Sequence, residues 1–123
     1  MENKPDFMIS YDEFMAKYAQ NTEDAISVGG EIAKQAQFFC NHNQRKAILE
    51  LVFNKKYSEV INAVDEQTSK PISAAKAEVL VNATDEYSNY LIEKTAIENI
   101  EQIINSLKAL QKGLLVEYGA SSL

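Results

Sequence analysis

The chain has 123 residues, 46% of them hydrophobic and 24% charged, with a formal net charge of −6, which is the composition of one folded domain rather than a disordered chain. The acidic balance argues against broad attraction to nucleic acid or anionic lipid, whose surfaces draw excess Lys and Arg. Cys40 is the single cysteine, so an internal disulfide is excluded, and a small buried thiol in a reducing compartment is expected.

In chain order, Ser10 followed by Glu13 fits a capping box and predicts a helix beginning near Tyr11. Asn21 or Thr22, with Glu23 and Asp24 just behind, marks a second helix start, because acids there complement the positive end of the helix dipole. That helix is expected to run to about Cys40. Gly29-Gly30 lies inside it, where each glycine costs about 0.8–1.0 kcal/mol relative to Ala, so a kink, a close helix contact or a break is expected. Asn41-His42-Asn43 reads as a turn.

From Gln44 to Asp65, Ile48, Leu51, Val52, Val60, Ile61 and Val64 recur at helical spacing, with Leu51-Val52-Phe53 left open as a short strand. Gln67-Thr68-Ser69-Lys70-Pro71 is a polar stretch closed by a proline, and proline disfavours helix at the residue before it. Residues 73–112 then run without Gly or Pro to Gly113, a candidate C-cap. A helix of that length would span about 60 Å, so other helices would have to cover its sides. Ile97, Ile100, Ile104, Leu107, Leu110 and Leu114 step by three or four residues, close to a coiled-coil seam, and Leu80, Ala83, Tyr87, Tyr90 and Leu91 extend a looser stripe upstream. Lys94 interrupts the stripe and Ile103 widens it, which suits packing against more than one helix. The expected architecture is therefore all-α and one domain. Shorter N-terminal helices occupy residues 1–66, a linker 67–72, one long coiled-coil-like helix 73–113 and a frayed tail 114–123.

No apolar run approaches the roughly 18 residues of a membrane span, and Met1-Glu2-Asn3-Lys4-Pro5-Asp6 lacks the layout of a secretory leader, so a cytoplasmic protein is expected. One cysteine and one histidine cannot close a structural zinc site, and no cofactor motif is present: Gly29-Gly30 lacks the Lys-Ser/Thr of a phosphate-binding loop. Cys40 and His42 invite a thiolate–imidazole reading, yet nucleophilic catalysis also needs an orienting group and oxyanion donors. The adjacent acids Asp12-Glu13, Glu23-Asp24, Asp65-Glu66 and Asp85-Glu86 fall at helix starts or polar faces, not as facing pairs. The chain is expected not to be an enzyme.

Residues 41–78, with six bases against five acids, form the one net-basic third. Arg45, Lys46, Lys55 and Lys56 share one expected helix, and eleven residues return a helix to nearly the same face, so Arg45 and Lys56 could contact phosphates about 16 Å apart. Tyr57 could stack on an unpaired base, and Lys70 and Lys76 flank the linker. Glu50 and Glu59 on the same helix favour the plainer reading, a solvated charged face. Tyr87 and Tyr90 read as packing residues.

The segment Ser73-Ala74-Ala75-Lys76-Ala77-Glu78-Val79-Leu80, with Tyr87 downstream and Ile103-Ile104-Asn105-Ser106-Leu107-Lys108 beyond, resembles the C-terminal part of UvsY-like recombination mediator proteins of bacteriophages. The likeness covers about the last third of the chain. It implies a helical homo-oligomer that binds single-stranded DNA and helps load a recombinase, in the host cytoplasm, with Lys76 as the motif lysine. Leu80, Tyr87, Tyr90, Leu91, Ile97, Ile100, Ile104, Leu107, Leu110 and Leu114 are the expected oligomer interface. The acidic balance departs from this pattern. Two other readings stay open: a helical structural or adaptor protein of a virion or assembly, and a small acidic inhibitor of a host defence complex whose surface mimics nucleic acid.

Overall fold

A computed structural model of the chain describes residues 3–20, 24–63 and 70–121. Among these residues the fold is all-α, with α1 (Asp6–Gln20), α2 (Ala25–Ile61), α3 (Ala74–Asn82) and α4 (Asp85–Ser121) and no strand. Leu51-Val52-Phe53, left open as a strand, is helical. No helix among the described residues is long and apolar enough to cross a membrane.

Where the helices begin and end follows from local capping. The Pro5 carbonyl accepts from the amides of Met8 and Ile9, so α1 starts several residues before the expected capping box. Ser10 lies inside α1 and donates its hydroxyl to Glu31 instead of capping. At the next start, Asn21, Thr22 and Glu23 lie outside the described residues, and Asp24 caps α2: its carboxylate accepts from the Ser27 amide at 2.8 Å. α2 runs without a break through Gly29-Gly30 and through Asn41-His42-Asn43, so the expected turn is absent. Asn and His each cost a helix interior no more than about 0.7 kcal/mol, which tertiary packing readily outweighs.

The helix expected over 73–112 is two helices. Ser73, with φ −65° and ψ 153°, caps α3 through its hydroxyl, which accepts from the Lys76 amide. α3 closes where the Ala83 amide reaches back to the Leu80 carbonyl and the Thr84 amide to the Val81 carbonyl. Thr84 then caps α4, its hydroxyl accepting from the Tyr87 amide and donating to the Val81 carbonyl at 2.6 Å. Thr84-Asp85-Glu86 is an N-cap followed by acids in the first turn, a helix-start signal masked by the apolar stripe that runs past it. Gly113 does not cap: α4 continues through it to Ser121, over most of the expected tail. Of the expected linker, residues 67–69 lie outside the described residues, and the Ile72 amide donates to the Ala63 carbonyl.

Two compact units result: unit 1, Met1–Asn41 with Ile97–Leu123, and unit 2, His42–Ala96. Unit 1 has the larger apolar core, with Phe7, Phe14, Val28, Ile97, Ile100, Ile103 and Leu107 buried. Its polar fastenings are side chains reaching across helices. Gln35 donates to the Phe7 carbonyl and to Glu31, and Gln111 donates to the Ala25 carbonyl at 2.9 Å. A Cβ on Gly29 would stand 3.0 Å from the Gln111 amide nitrogen, so this glycine answers to a close helix contact, one of the expected outcomes, whereas Gly30 faces open space.

Candidate interaction surface

Two clusters orient the second half of α2 within unit 2. Eleven residues turn a helix through three turns plus about 20°, which puts His42 and Phe53 on one face. His42 is buried, and its Nδ1 lies 2.6 Å from Glu93 Oε2 on α4. Arg45 Nε is 3.8 Å from the other Glu93 oxygen. Arg45 Nη2 stands 3.3 Å from both ring nitrogens of His42, a position over the ring face rather than along either lone pair. Phe53 then meets Tyr90 at 5.6 Å, nearly parallel, and Tyr87 at 5.2 Å, so a three-ring cluster continues the same contact.

With that face committed, the flank and back of α2 are left bare. Leu51 is 72% exposed, Ile48 61% and Val52 44%. Val79, Leu80, Leu91 and Ile92 of the same unit are exposed too, while its buried apolar side chains among the described residues are only Ala77, Val81 and Ala96. A unit that hides small aliphatics and shows large ones has the composition of an interaction surface, since contiguous exposed apolar patches mark contact sites.

The expected nucleic-acid residues all fall in this unit. Arg45, Lys55, Lys70 and Lys76 are exposed, and Lys46, Lys56 and Tyr57 are half-buried. Helix continuity brings Arg45 and Lys56 onto one face, but Arg45 is also held by Glu93 and His42. Unit 2 carries seven bases against eight acids and unit 1 five against ten, so the chain's negative charge is concentrated in unit 1.

The expected oligomer seam is divided. Ile97, Ile100 and Leu107 are buried within the single chain, so those side chains are already covered and have no free surface for a neighbour. Ile104, Leu110 and Leu114 are half-buried, and Tyr87 and Tyr90 pack on Phe53. Leu80 and Leu91 alone of that set are exposed. Cys40 is exposed rather than buried, and α2 sets it about 200° around the helix from His42, so the two do not form a dyad.

His42–Glu93 and the bare α2 stripe escaped the sequence reading. The first joins distant positions; the second has the spacing of a core stripe, with nothing in the sequence to show it uncovered. Elsewhere, an open cleft of about 300 Å³ in unit 1 is lined by Met8, Tyr11, Asn99, Gln102, Ile103 and Ser106. Among the described residues, no three His, Cys, Asp or Glu side chains gather where a metal ion could be held. No protein-family profile matches the chain, and no curated protein or solved structure shows significant similarity to it.

Proposed function

We propose that this chain is a non-catalytic accessory protein of recombination or replication that assembles with copies of itself through unit 2. Its partner is single-stranded DNA or a protein already bound to that DNA, as the resemblance to UvsY-like mediators implies. The observation that carries the assembly is the exposed Ile48, Leu51 and Val52 face of α2 on a unit with few buried aliphatics. Burying side chains of this size is worth about 1.5–3 kcal/mol each, enough for a weak assembly that many subunits strengthen through effective concentration. The DNA part rests on Arg45, Lys46, Lys55, Lys56, Lys70 and Lys76 all belonging to that same unit and none to the strongly acidic one.

Light scattering and labelled single-stranded DNA test the two parts separately. The expected result is a mass above the monomer and DNA binding at about 50 mM salt that weakens steeply as salt rises. Lys46→Gln with Lys56→Gln flattens that dependence. An intact assembly that binds no DNA removes the mediator reading. It would leave the second reading, a helical adaptor making protein contacts only, which the engagement of Arg45 by Glu93 favours.

A further inference from the structure

The stripe on α2 has an order that selects its occupant. Arg45, Ile48, Val52, Lys55 and Glu59 step by three, four, three and four residues, and all five are exposed. That spacing keeps them in one line along a helix over about 21 Å, with Leu51 beside Val52. The line has a cation at one end, aliphatic side chains at its centre and an anion at the other end. Arg45 and Glu59 are equally far from Val52 in sequence.

We propose that the α2 stripe pairs with the α2 stripe of a second copy, antiparallel, about a two-fold axis through Val52. This rests on the assembly reading and names its interface. A two-fold contact is isologous, so each residue meets the mirror position of the partner. Antiparallel pairing sets Val52 against Val52, Arg45 against Glu59 twice over, and Ile48, one residue off the mirror position, beside the aliphatic stem of Lys55, whose ammonium reaches past it to water. Parallel pairing would set Arg45 on Arg45, Lys55 on Lys55 and Glu59 on Glu59, three like-charge contacts, each destabilising. Charge order therefore chooses both the partner and the direction. The His42–Glu93 bond and the Phe53 contacts to Tyr87 and Tyr90 stay in place, while Arg45, already 3.8 Å from Glu93, is shared between that carboxylate and Glu59 of the second copy.

The test uses the full chain with Cys40→Ala, so that introduced cysteines report alone. Val52→Cys is expected to cross-link into dimers under mild oxidation, because the axis brings the two copies of that position together. Ala47→Cys, exposed but about 220° around the helix from Val52, is expected to stay monomeric on gels. Glu59→Lys replaces an attraction by a repulsion at both ends and is expected to weaken self-association about tenfold or more with unchanged helicity. An assembly whose mass ignores Glu59→Lys and Val52→Asp, and in which Ala47→Cys cross-links as fast as Val52→Cys, overturns the α2 pairing and leaves self-assembly to the other exposed apolar side chains of unit 2, Val79, Leu80, Leu91 and Ile92. A wild-type chain that is monomeric at every concentration overturns both.

Discussion

His42 Nδ1 lies 2.6 Å from Glu93 Oε2, joining α2 to α4 within unit 2 across 51 positions of sequence. The Glu93 side chain is only 12% exposed, so its carboxylate depends on the partners it has. His42→Ala leaves Arg45 Nε, at 3.8 Å, as its remaining ion-pair partner and is expected to cost about 1–3 kcal/mol in urea unfolding. Because each residue serves the other, His42→Ala and Glu93→Ala together should cost less than the two separate losses combined. Strict additivity would mean that the contact is not formed.

Gly30 and Gly113 stand in helix interiors with open space where a Cβ would go. Gly30→Ala and Gly113→Ala are each expected to stabilise by about 0.5–1 kcal/mol, since alanine loses less backbone freedom on folding. Gly29→Ala gains the same term but drives its Cβ against the Gln111 amide, which must swing off the Ala25 carbonyl. Its melting temperature should therefore fall below that of Gly30→Ala. Equal gains at the two sites would show that Gln111 does not approach Gly29.

Glu31 is a buried carboxylate satisfied by neutral donors, the Ser10 hydroxyl at 2.8 Å and the Gln35 amide at 2.9 Å. Removing a donor from a buried anion costs more than its hydrogen bond gives, so Ser10→Ala is expected to destabilise by about 1–3 kcal/mol. Adding Glu31→Leu removes the anion as well and should recover part of the loss. A double variant less stable than Ser10→Ala would assign Glu31 some other stabilising contact.

Asp24 caps α2, and hydrogen bonds from the Ser27 backbone and side chain hold its carboxyl below its ordinary value. A carboxyl depressed on folding stabilises the fold at pH above its unfolded value and loses that contribution as pH falls through the lower folded value. Asp24→Asn keeps a capping side chain without the titration. The stability difference between wild type and Asp24→Asn should be constant above about pH 5 and shrink below about pH 4. A difference that grows on acidification would contradict this sign.

Capping explains which helix ends were legible. A helix starts at Ser73, where one was expected, and Asp24 caps α2 two to three residues after the expected Asn21 or Thr22, because a cap is a local bond between a short side chain and an amide three residues on, and Asp24 offers it to Ser27. Thr84 carries the same signal, but the expectation of one unbroken apolar stripe hid it. The Asn41-His42-Asn43 turn failed for the opposite reason: a weak local preference was overruled by the bond from His42 to Glu93, which no window of neighbouring residues contains.

The sequence by itself determined that this chain is helical and amphipathic, with bases gathered in its middle, since three- and four-residue spacing and capping chemistry act over single turns. Only the tertiary structure decided which apolar stripes are spent. Ile97, Ile100 and Leu107 are covered within the chain, while Ile48, Leu51 and Val52, with the same kind of spacing, are left to solvent. Periodicity says that a helix has an apolar face, but whether that face is buried depends on elements far away in sequence, which arrive only when the chain folds.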